Sequence, residues 1–70
     1  MQRTATDPLV VELTAERRRQ GLSQRAVTRA IGTSSASLSM WERGLAYPRL
    51  DLLRVWAGVL GYTLSLEADS

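Results

Sequence analysis

Apolar residues along this chain fall into four clusters at helical spacing, with glycines and polar turns between them. Leu9, Val10 and Leu13 form the first stripe, and the aliphatic stem of Arg17 extends it by one turn. Leu22, Val27 and Ile31 form the second, and Leu38 with Trp41 the third. Leu50, Leu53, Trp56, Ala57 and Leu60 form the fourth and close a core against Leu13, Val27 and Trp41. The pattern then changes. From Tyr62 to Glu67 apolar and polar residues alternate, which is the period of a strand and not of a fifth helix. The expected fold is therefore mainly α, four helices followed by a C-terminal β-strand.

Local signals set the boundaries. Asp7 caps the first helix and Pro8 occupies its first position, where a missing N–H removes nothing useful. This helix is expected to run from Pro8 to about Gln20, with Gly21 at its end. Ser23 and Ser34 each stand where a helix begins, Gly32 marks the turn between the second and third helices, and Gly44 stops the third. The fourth helix runs from Arg49 or Leu50 to Leu60 and stops at Gly61. Gly58 interrupts that helix at about 1 kcal/mol relative to alanine, which marks it as a place of close approach by a neighbouring backbone or a partner subunit. Residues 1–6 have no periodicity and are expected to be a loose arm, in which Arg3 either frays or touches a nucleic-acid backbone.

Composition narrows the chemistry. Seventy residues make one small domain, of a size for which dimerisation is a common source of extra stability. The chain has neither cysteine nor histidine, so disulfides and the usual zinc ligands are excluded and no cofactor is expected. With no paired-carboxylate or glycine-rich phosphate motif either, an enzyme is not expected. No apolar run is long enough to cross a bilayer and no signal peptide is visible, so the expected location is cytoplasmic. The net charge is only +2, yet all nine basic residues are arginine, whose forked donors match phosphate and guanine.

The run Arg17, Arg18, Arg19 is not one basic face, because successive helical residues point about 100° apart. Arg18 and Arg19 suit the negative end of the helix dipole. Arg17 shares the face of Leu9 and Leu13 and points inward, where it needs a carboxylate, and Glu42 is the best candidate.

The anchors Leu22-Ser23-Gln24, Ile31-Gly32, Leu38-Ser39, Trp41-Glu42-Arg43-Gly44, Pro48, Leu50, Leu53, Ala57 and Leu60-Gly61 resemble the lambda-repressor/Cro-like (XRE-type) helix-turn-helix family. The resemblance spans roughly residues 9–61. It implies a helix-turn-helix DNA-binding domain over residues 7–61; the strand and tail at residues 62–70, expected from the alternation, depart from the commonest family plan by standing in place of a fifth helix. It also implies that the third helix enters the major groove, as a dimer on a two-fold symmetric operator. The family pairs an arginine late in the first helix with a glutamate ending the third, which matches Arg17 and Glu42. Two positions depart from the family. Thr28 stands where alanine is usual, so its hydroxyl either bonds back to its own helix or widens the packing. Ala26 stands where glutamate often completes a capping box, which leaves the second helix resting on Ser23 and on packing.

Roles follow from the same match. Ser35, Ala36, Ser39 and Met40 occupy the base-reading positions, although Met40 is also suited to filling the edge of the core. These side chains make single hydrogen bonds or methyl contacts and not two-pronged ones, so direct readout is expected to be modest. Gln24 is expected to anchor a phosphate and to brace the first side chain of the third helix. Ser34, Arg25, Arg43 and Arg49 are the other phosphate candidates, while Arg29 suits a phosphate or plain solvent equally. A lone strand lacks a backbone partner, so the last segment is expected to pair with its counterpart from a second subunit, with Tyr62, Leu64 and Leu66 facing the helices. The alternative is a tail folded back on its own domain. The expected function is a DNA-binding transcriptional regulator, a repressor of phage or prophage type. The alternative is an antitoxin that also holds a toxin protein and regulates its own operon.

Overall fold

The computed structural model describes residues 7–69 and contains four helices: α1 (Pro8–Arg19), α2 (Gln24–Ile31), α3 (Ser35–Glu42) and α4 (Leu50–Val59). The N-terminal arm and Arg3 lie outside the described residues.

Each of the first three helices begins on a side chain that accepts an otherwise unpaired backbone N–H. Asp7 accepts from Leu9 N at 2.8 Å, Ser23 from Ala26 N at 3.0 Å and Ser34 from Ser37 N at 3.1 Å. Arg49 precedes α4 without a side-chain cap. The turn between α2 and α3 depends on Gly32, which takes φ +89°, a left-handed conformation that a β-carbon would strain. Its N–H and that of Thr33 both return to the Thr28 carbonyl, at 2.8 and 3.1 Å, so the chain reverses within three residues.

The core is made by Val10 and Leu13 of α1, Val27 of α2, Leu38 and Trp41 of α3, and Trp56 and Ala57 of α4 with Leu60 just beyond it. Trp41 and Trp56 meet with ring centroids 5.9 Å apart and planes tilted by 35°. That spacing falls in the range of favourable aromatic pairs, so the two largest apolar side chains join α3 to α4. The Gln20 amide adds a polar tie from the end of α1 to the Leu60 carbonyl at 2.9 Å.

Several expectations need correction. Among the described residues there is no β-strand: after Gly61 the chain continues without regular structure, and no backbone hydrogen bond engages residues 63–69. The reason is geometric, since a strand exists only through a neighbour and none of the described residues pairs with this segment. Of the three side chains expected to face the helices, Leu64 packs against the core, Tyr62 is exposed with its hydroxyl 3.5 Å from Arg19 Nη2, and Leu66 is 100% exposed. The buried stripe of α1 is Val10, Leu13, Thr14 and Arg17, and Leu9, 43% exposed, falls on its margin. Leu50, at the start of α4, is likewise exposed. Within the described residues no neighbouring backbone approaches Gly58, because a β-carbon there meets nothing within 4 Å.

Candidate nucleic-acid interface

Arg17, Glu42 and Gln24 form one hydrogen-bonded cluster that joins α1, α3 and α2. Arg17 Nε donates to Glu42 Oε2 at 2.7 Å and Arg17 Nη2 to Glu42 Oε1 at 2.9 Å, a two-pronged pair. The side chains are only 10% and 3% exposed. Arg17 Nη1 donates to the Leu22 carbonyl at 2.8 Å, which ties the guanidinium to the segment between α1 and α2. Gln24 Nε2 then donates to Glu42 Oε1 at 2.9 Å. A buried carboxylate is tolerated only when its charge is balanced and its lone pairs are used, and three donors meet that condition here. The consequence is mechanical: the last turn of α3 is held against the first turn of α2.

This cluster changes the geometry expected for Gln24. Its side chain reaches the far end of α3 and not the first residue of that helix. The side chain beside Ser35 is Thr28, whose Oγ1 lies 3.5 Å from Ser35 Oγ. Thr28 is buried, and its hydroxyl donates back to the Arg25 carbonyl at 3.1 Å, the first of the two alternatives that its size allowed. The bond from Gln24 to Glu42 and the approach of Thr28 to Ser35 are not visible in sequence spacing alone, because both depend on the angle between α2 and α3.

On the outer side of α3, Ser35, Ala36 and Met40 are exposed and Ser39 is half-buried, while Leu38 and Trp41 face the core. Met40 is therefore a surface side chain, and its thioether sits 3.7 Å from Arg43 Nη2. Arg43 caps the end of α3, and the Gly44 that follows takes φ +75° and turns the chain away. Arg25 and Arg29 are exposed on α2. Arg49 is exposed before α4 and lies 3.2 Å from Asp51 Oδ2, an open pair that solvent screens. Ser34 is occupied as a cap, accepting from Ser37 N and donating to Ser37 Oγ at 3.1 Å.

No group of histidine, cysteine, aspartate or glutamate side chains among the described residues is placed to hold a metal ion. No helix among them is long and apolar enough to cross a membrane. In comparison with known proteins, a family model described as Helix-turn-helix matches residues 13–66, from the middle of α1 into the tail. No curated protein matches the chain.

Proposed function

The chain belongs to the XRE/lambda-repressor-like helix-turn-helix family of DNA-binding transcriptional regulators, and from that premise we propose that it acts as a repressor, laying α3 in the major groove of a two-fold symmetric operator. The observation that carries this reading is the Arg17–Glu42–Gln24 cluster. It locks α2 and α3 into one rigid unit, so the small outward side chains of α3 are presented at a fixed angle between exposed arginines. Rigid presentation suits recognition, since a helix free to rock would lose its register on the bases.

Within this reading Ser35, Ala36, Ser39 and Met40 face the base edges, with hydroxyls for single hydrogen bonds and apolar groups for thymine methyls. Arg25, Arg43 and Arg49 bind phosphates, as does the second N–H of the Gln24 amide left over from Glu42, and Ser34 does so by redirecting its proton from Ser37. Arg49 exchanges Asp51 for phosphate. These contacts fix position, and much of the specificity then comes from groove shape and half-site spacing. The measurement is binding to a duplex across a salt series. Affinity is expected to fall linearly in log–log form, and Arg43→Ala is expected to weaken all sequences alike and to reduce the slope by about 1. Affinity indifferent to salt overturns the reading.

We further propose that the operator is bound by a homodimer formed through the tail. Residues 63–69 have unused backbone donors and acceptors, and Leu66 is uncovered, which together suit an identical segment across a two-fold axis. Half-sites then lie about one helical turn, ~34 Å, apart. Sedimentation of the full chain against a chain ending at Gly61 tests this: a dimer that becomes a monomer supports it, and a dimer unaffected by truncation overturns it. The same uncovered tail and the groove of about 700 Å³ between it and α1 also suit a toxin partner. Co-purification with the product of a neighbouring gene separates that antitoxin role from a stand-alone regulator.

A further inference from the structure

The hydroxyl of Thr28 makes two polar contacts, and they constrain each other. Oγ1 lies 3.1 Å from the Arg25 carbonyl oxygen and 3.5 Å from Ser35 Oγ. A carbonyl oxygen only accepts, so the bond to Arg25 consumes the single proton of Thr28. The contact with Ser35 can then be completed only by the proton of Ser35. Thr28 is 3% exposed, so water does not readily take over either role. Ser35, by contrast, is exposed at the first position of α3.

We propose that Thr28 is a positioning residue that sets the hydrogen-bond polarity of Ser35 and thereby a base preference. With its proton committed to Thr28, Ser35 presents lone pairs to the groove and accepts from a base. Only adenine N6 and cytosine N4 offer donors at the major-groove edge, whereas guanine O6 and N7 and thymine O4 are acceptors. Ser35 thus selects adenine or cytosine on the strand it faces, at one position of each half-site. A serine with an unconstrained hydroxyl would rotate to suit any of the four. The relay Ser35 to Thr28 to the Arg25 carbonyl converts an indiscriminate side chain into an acceptor. This inference rests on the proposal that α3 reads the major groove.

The test is selection of bound duplexes from a random pool by the full-length chain and by the variants Thr28→Val, Thr28→Ala, Thr28→Ser and Ser35→Ala. The unaltered chain and Thr28→Ser, which keeps the hydroxyl, are expected to enrich adenine or cytosine at one shared position by roughly three- to tenfold, the scale of one neutral hydrogen bond. Thr28→Val, Thr28→Ala and Ser35→Ala are expected to flatten that position and to leave the others unchanged. Two hydroxyl-free variants of different size keep the test intact if one fails to fold. Rescue by serine separates polarity from packing, because serine lacks the methyl group. An unaltered chain that enriches guanine or thymine there, or Thr28 variants whose preference is unchanged at every position while salt-dependent binding persists, overturns this inference alone. A full-length chain that retains no duplex even at low salt overturns the major-groove reading as well.

Discussion

The α2–α3 pair and the tail after Gly61 both have a clear periodic pattern of apolar residues, and they end in opposite states. In the pair, the pattern is answered from within the chain: Val27, Leu38 and Trp41 are buried, the caps are filled, and Arg17 and Gln24 surround Glu42. In the tail, Leu64 finds the core, but among the described residues Leu66 stays exposed and the backbone of residues 63–69 has no backbone partner. A helix satisfies its own backbone, and needs neighbours only for one face. A strand needs a neighbour for the backbone itself. The same quality of sequence signal therefore specifies a structure in one region and a requirement in the other.

Substitutions can break or sharpen this contrast. The largest effect is expected at Glu42→Ala, which leaves the Arg17 guanidinium buried without a counter-charge and frees Gln24. Destabilisation of about 3–5 kcal/mol is expected in urea or thermal unfolding, and a midpoint shift near zero would show that the cluster does not hold the pair together. Leu38→Ala, at a site fully closed to solvent, is expected to lose about 2–5 kcal/mol through lost burial and the cavity left behind. Gly58→Ala is expected to gain up to about 1 kcal/mol, because the helix prefers alanine and the site is open. A loss there would mean that something packs on Gly58 after all. Leu66→Ala is expected to change the unfolding of the monomer, measured at dilution, by less than about 0.5 kcal/mol. Its effect is instead expected on self-association, read by sedimentation across concentrations.

Legibility from sequence followed the same division. The inward direction of Arg17 could be read because helical spacing places it with Leu13, and an inward arginine requires a carboxylate. The serine caps and the glycine turns could be read because they act within three or four residues. Spacing alone places Leu9 and Leu50 in the core, yet both are exposed, because each sits at the margin of a stripe, where a small rotation of the helix decides exposure. In the tail the alternation predicts a strand that a single chain cannot complete. The bond from Gln24 to Glu42 and the approach of Thr28 to Ser35 were not legible, since both depend on the angle at which two helices cross and not on spacing along either. The resemblance places Gln24 beside the first residue of α3, whereas in the structure Thr28 lies there and Gln24 bonds Glu42.

In the function proposed above, the chain meets DNA through the α2–α3 unit and keeps the tail for other contacts. Amide shift mapping of the full-length, isotopically labelled chain tests it most directly, with a selected duplex added stepwise at constant salt. Shifts are expected at Gln24 and Arg25, along α3 from Ser35 to Arg43, and near Arg49, with residues 64–69 left as they were in the DNA-free protein. Shifts concentrated on the tail and the outer face of α1, with α3 unmoved, would contradict the account.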